Sequence, residues 1–155
     1  MKMRWDYVTN SSSSSFIVAF DSTDIAEELG RERWRLKGNY QKLLDDLSSA
    51  EITYEEAMSI FEEDAKDKAI CEIMDSIERN QGYDAAMDFL NNYDNNEEYI
   101  EMVDRKTGKL ENDFSKKIMD KAYIAFVQYD DYNDYVLEQE VMPYLKCTMH
   151  TINEH

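Results

Sequence analysis

Two glutamates at alternate positions, Glu138 and Glu140, and two histidines near the end of the chain, His150 and His155, are the side chains best suited to hold a divalent metal. Carboxylate oxygens and imidazole nitrogens are donors for such ions. On a β-strand, positions i and i+2 face the same side. A strand over 135–142 paired with one over 146–152 would therefore bring Glu138, Glu140 and His150 together, with His155 just beyond. This set supports one enzymatic reading, a small metal-dependent hydrolase or nuclease with a divalent metal as cofactor. The spacing has no helical HExxH pattern, and a one-residue register slip would turn both glutamates away. Asp130, Asp131 and Asp134 form an acidic turn without the glycine and regular spacing of a calcium loop. The five serines Ser11 to Ser15 are not followed by a Ser-His-Asp order, and no glycine-rich phosphate loop is present. Cys71 and Cys147 lie far apart without CxxC or Cys/His spacing, which points to a reducing, cytoplasmic compartment rather than a disulfide framework or a zinc site.

Charge offers a second kind of chemistry. The 155 residues carry 34 acids and 17 bases, a net charge of −17. Residues 45–104 hold nineteen of the acids and three of the bases, so that one block carries nearly all of the excess. Nucleic acid and anionic membrane surfaces are repelled by such a block, because binding them requires clustered Lys and Arg. The stretches Arg31, Arg33, Arg35, Lys37 and Lys116, Lys117, Lys121 are the only basic clusters of note. A basic protein surface is the partner that the block attracts, including a groove that ordinarily takes phosphates. Acidic faces that serve only solubility are the alternative.

The elements that position these groups follow from periodicity. Phe16-Ile17-Val18-Ala19-Phe20 reads as a buried strand, entered through a turn in which Asn10 and the serine hydroxyls satisfy the backbone. Helical spacing predicts helices over 24–36, 40–47, 53–79 and 83–92, the third opened by a capping box from Thr53 to Glu56. On that third helix Met58, Phe61, Ala65, Ala69 and Ile73 form the inner face, and Glu56, Glu63, Asp67 and Glu78 the outer one. Asp94, Glu97 and Glu98 flank it as a loop patch. Residues 99–110 read as a strand-turn unit with Gly108 at positive φ, 113–120 as a short helix, and 122–129, 135–142 and 146–152 as strands. The early strand has no local partner, so it must pair with strands near the C-terminus.

The expected fold is a single α+β domain over 1–155: a small antiparallel or mixed sheet built from the two chain ends, with an acidic helical block over 24–92 packed on it or inserted in it. The apolar runs are too short to span a membrane, and the start has no signal-peptide core.

The opening, from Met3-Arg4 through Tyr7-Val8-Thr9-Asn10 and the serine run to Phe16-Ile17-Val18, resembles that of a group of small bacterial and phage proteins of uncharacterised activity. Those proteins begin with basic residues, an aromatic-Val-Ser/Thr-Asn, a serine run and Phe-Ile/Val-Val. Leu137-Glu138-Gln139-Glu140 is similar to a Leu-Glu-His-Glu segment in comparable proteins, with Gln139 in place of the histidine, and Asn153-Glu154-His155 stands where they end in a paired histidine. The resemblance implies a phage or mobile-element setting. Together with the charge, it suggests an interaction protein that binds a basic surface and inhibits a host nucleic-acid-binding enzyme, as anti-CRISPR proteins do, through Glu56, Glu63, Asp67, Glu78, Asp94, Glu97 and Glu98.

Overall fold

The computed structural model describes residues 13–154. Residues Met3 to Ser12 of the opening motif, and His155 of the expected metal set, lie outside them. The elements run β1 (Ser13–Phe20), α1 (Ile25–Gly30), a 3-10 turn (Arg33–Arg35), α2 (Tyr40–Ser48), α3 (Tyr54–Gln81), α4 (Tyr83–Asn92), α5 (Glu97–Ile118), β2 (Tyr123–Asp130), a π-helix (Val136–Val141), a 3-10 turn (Met142–Tyr144) and β3 (Thr148–Glu154). The fold is α+β, with a three-stranded antiparallel sheet made from the chain ends. The chain divides into a sheet unit, Met1–Ala57 with Lys116–His155, and a helical unit, Met58–Ser115.

In the sheet unit β1 is the central strand, between β2 and β3. Phe16 lies opposite Val127 on one side and Thr151 on the other, and the β3 register shifts between Ile17 and Val18. All residues of β1 after Ser13 are buried, as expected of a strand covered on both faces. Phe16, Val18 and Phe20 pack with Leu29, Leu36, Leu43 and Leu47 from α1, the following turn and α2, and with Leu137, Val141 and Met142. Residues 50–52 run along the outer edge of β2, with Ile52 N–H donating to the Ile124 carbonyl (2.9 Å) and Phe126 N–H to that of Ala50 (3.1 Å). That pairing covers an otherwise open strand edge.

The helical unit is built on α3, whose buried residues Phe61, Ala65, Ala69, Ile73 and Ile77 recur every four positions. Four residues exceed one 3.6-residue turn by about 40°, so this apolar stripe winds round the helix instead of keeping to one side. Met58, expected on the inner face, is only half-buried. Phe61 stacks on Phe114 with ring centres 4.1 Å apart and planes within 5°. Ile70, Ile73, Ile77, Ala86, Phe89 and Val103 close a second cluster. Gly82, at φ +92, makes the turn into α4, a backbone region that favours glycine.

Several expectations are corrected. Residues 99–110 are not a hairpin, and 113–120 are not a separate helix: both belong to α5. Val103, Phe114 and Ile118 are buried along it, with Met102 and Leu110 half-buried, a helical spacing that outweighs one glycine. Gly108 is not at positive φ. Asn96 caps this helix by accepting from Glu98 N–H (2.9 Å) and Tyr99 N–H (3.2 Å), and Lys116 and Lys117 suit its C-terminal dipole. The helical block therefore extends past 92 to Ile118. The first helix stops at Gly30, six residues short of the expected end. Residues 135–142 are a π-helix running into a 3-10 turn, with Leu137, Glu138 and Val141 buried, rather than a strand. Ser13 to Ser15 do not form a turn but belong to β1.

Candidate functional site

The capping box at the start of α3 forms as expected: Glu56 N–H donates to Thr53 Oγ1 (3.0 Å), and Thr53 N–H to Glu56 Oε1 (2.9 Å). Glu56 is thus engaged in holding the helix end, and Glu97 and Glu98 occupy the first turn of α5, where carboxylates oppose the helix dipole. All seven expected interaction residues are solvent-exposed, with Glu56, Glu63, Asp67 and Glu78 on α3.

Within 58–115 there are sixteen acids and six bases, a net −10. Four of the bases form ion pairs: Lys68 with Asp64 (3.5 Å), Lys106 with Glu72 (2.9 Å), Arg105 with Glu101 (2.6 Å) and Lys109 with Asp113 (3.4 Å). Twelve carboxylates of the unit have no ion-pair partner among the described residues, Glu63, Asp67, Glu78, Asp94, Glu97 and Glu98 among them. Such a surface carries a field that strengthens as salt falls. Sequence reasoning counted Glu101 and Asp104 in the acidic block but missed that they share one helix, α5, with Glu111. Their helical spacing was the available signal, masked by the hairpin reading.

Among the described residues the expected metal set, Glu138, Glu140 and His150, does not assemble. On the π-helix Glu138 and Glu140 no longer share a face: Glu138 is 2% exposed, whereas Glu140 is half-exposed and paired with Lys37 at 3.0 Å. Among the described residues no three His, Cys, Asp or Glu side chains come close enough to hold a metal. Glu138 instead accepts from the Ser14 hydroxyl at Oε2 (2.9 Å) and from the Gln139 amide at Oε1 (2.8 Å). Ser14 Oγ is also 2.8 Å from Asn153 Oδ1, its pairing partner across β1 and β3. A hydroxyl has a single proton, so the two contacts are both satisfied if the Asn153 amide is turned to donate into Ser14 while Ser14 donates to Glu138. The buried carboxylate thereby ties the π-helix to β1, 124 residues back in sequence, and through Ser14 to β3.

Tyr129 and Cys147 of the sheet unit are shifted from their ordinary values. Burial, helped by the bond its hydroxyl donates to Asp46 (2.7 Å), holds the Tyr129 phenol well above its ordinary range. Burial, reinforced by Glu32, pushes the Cys147 thiol up to about 12, so it stays protonated and inert. No protein-family model, curated protein or solved structure matches the chain.

Proposed function

We propose that the protein acts by protein-protein binding, docking the acidic faces of its helical unit on a basic surface, and that its partner is a host nucleic-acid-binding enzyme whose phosphate-binding groove it occupies. The observation that carries this reading is the set of twelve carboxylates in 58–115 without ion-pair partners among the described residues. Carboxylates held on helices oppose Lys and Arg as phosphates do, and they speed association through long-range attraction. The resemblance of the opening to small bacterial and phage proteins supplies the setting. The metal-dependent alternative has lost the strand geometry on which it rested.

The test is a pull-down from host lysate at low and high salt, followed by kinetics with the purified partner and a Glu63→Lys/Asp67→Lys variant. Both residues are exposed, so the melting curve should not move. The expected result is association slowed about tenfold or more at low salt, with the difference shrinking as salt rises. Unaltered kinetics together with a flat salt dependence would assign the charge to solubility.

A further inference from the structure

A different surface lies in the sheet unit, where α1 gives way to the 3-10 turn Arg33–Arg35. Leu36 beside it is fully buried, and Lys37, at φ +53, precedes Gly38 at φ +83. A non-glycine residue persists in that region only where its surroundings hold it. Here the Asn39 amide donates to the Leu36 and Lys37 carbonyls (3.1 and 3.3 Å), and Lys37 reaches Glu140. The turn is therefore fixed, and it leaves Trp34 75% exposed. The Arg35 guanidinium lies 4.5 Å from the Trp34 ring centre and donates to the Tyr144 carbonyl (3.3 Å), and the Tyr144 side chain is 65% exposed. Arg33 stacks 4.2 Å over Tyr40 and has no carboxylate partner among the described residues.

We infer that Trp34, Arg33, Arg35 and Tyr144 form a second docking surface, independent of the acidic faces, for a protein that offers an apolar pocket bordered by carboxylates. Trp, Tyr and Arg are the types that carry most interface energy, and an anchor fixed in advance loses little freedom on binding. The indole needs an apolar pocket. Stacking occupies one face of the Arg33 guanidinium, and its N–H edges, which no carboxylate engages among the described residues, are left for an acid at the pocket rim. Single-stranded nucleic acid would also stack on Trp34, but Arg31, Arg35 and Lys37 already face Glu27 (2.6 Å), Glu32 (3.8 Å) and Glu140 (3.0 Å), which leaves few cations for phosphates.

The chain has two tryptophans, so in a Trp5→Phe background fluorescence reports Trp34 alone. A full-length Trp34→benzoylphenylalanine variant is photocrosslinked in host extract, the crosslinked peptide is sequenced, and the purified protein containing it is titrated into the Trp5→Phe chain. Expected are a discrete adduct on an apolar segment with neighbouring Asp or Glu, a blue shift of Trp34 emission on binding, and affinity weakened about 30-fold or more by Trp34→Ala with an unchanged melting temperature. Adducts no more discrete than those from a crosslinker at the exposed Tyr83, an emission shift with a 20-nucleotide oligouridine instead, or affinity unaffected by Trp34→Ala would each overturn the inference.

Discussion

Strand β1 buries Phe16, Ile17 and Val18 completely, whereas the helical unit closes over Ile70, Ile73 and Ile77 with 8 to 9% of each still open to solvent. The sheet unit holds its deepest side chains through pairing between distant segments and encloses polar groups that must be satisfied, as Ser14 and Glu138 are. The helical unit is made of near-neighbour helix packing, keeps its carboxylates outside and carries the greater density of negative charge. Buried polar pairing, as at Ser14 and Glu138, and the densest surface charge thus fall in different regions. Charge can be altered in 58–115 with little effect on folding, while β1 tolerates almost no change.

The largest effect tests whether the two regions are energetically separate. Phe16→Ala should cost about 3–5 kcal/mol in denaturant unfolding, the range for emptying a fully buried phenylalanine site. Hydrogen exchange should then show β1, β2 and β3 losing protection while α4 keeps its own. An equal loss in α4 would break the comparison by making the chain one cooperative unit.

A smaller effect concerns polar contacts. Ser14→Ala leaves Glu138 Oε2 without its hydroxyl donor and should cost about 1–3 kcal/mol, whereas Tyr99→Phe, which removes an exposed bond to Asp88 (2.8 Å) in the helical unit, should stay within about 0.5 kcal/mol. Similar urea midpoints for the two variants would erase the distinction between buried and exposed polar contacts.

An effect spread over several pH units comes from alkaline conditions. The folded chain keeps the Cys147 proton to about pH 12, while an unfolded thiol releases it near the ordinary value of 9.0. Folded and unfolded states bind equal protons below that value, so this contribution is intact there. Between about pH 9 and 12 the unfolded state binds fewer, and stability falls by about 1.4 kcal/mol per pH unit. Tyr129 adds to the fall in the same direction. Urea midpoints measured from pH 8 to 11 should show the decline, and Cys147→Ala should reduce its slope; an equal slope in that variant would remove Cys147 as its source.

Much of this architecture was legible because local signals agreed with it. The run Phe16 to Phe20, the Thr53 and Glu56 pair, and the apolar spacing of α2, α3 and α4 each point to the element that forms. Helix α5 was misread because Tyr99 to Val103 is rich in β-formers and Gly108 resembles a turn residue, although Val103, Leu110, Phe114 and Ile118 continue a helical stripe. A π-helix of six residues is too short to display its own period, so 136–141 could pass for a strand and its glutamates for neighbours on one face. The burial of Glu138 depends on Ser14, 124 residues away, which no local pattern reveals. The exposure of the acids on α3 followed from spacing alone, whereas Trp34 was hidden inside a helix predicted to run through it.

The position of β1 at the centre of the sheet governs the order in which the fold can be completed. It is made early, yet Phe20 pairs with Tyr123 and Ser14 with Asn153, so its backbone waits for segments more than a hundred residues downstream. During synthesis the helices of 58–115 emerge first with contacts they can make among themselves, while an apolar strand with two unpaired edges stays open to other chains. The sheet closes only when β3 is supplied, which makes the interval before β3 emerges the period of greatest aggregation hazard and gives nascent β1 the strongest claim on a chaperone.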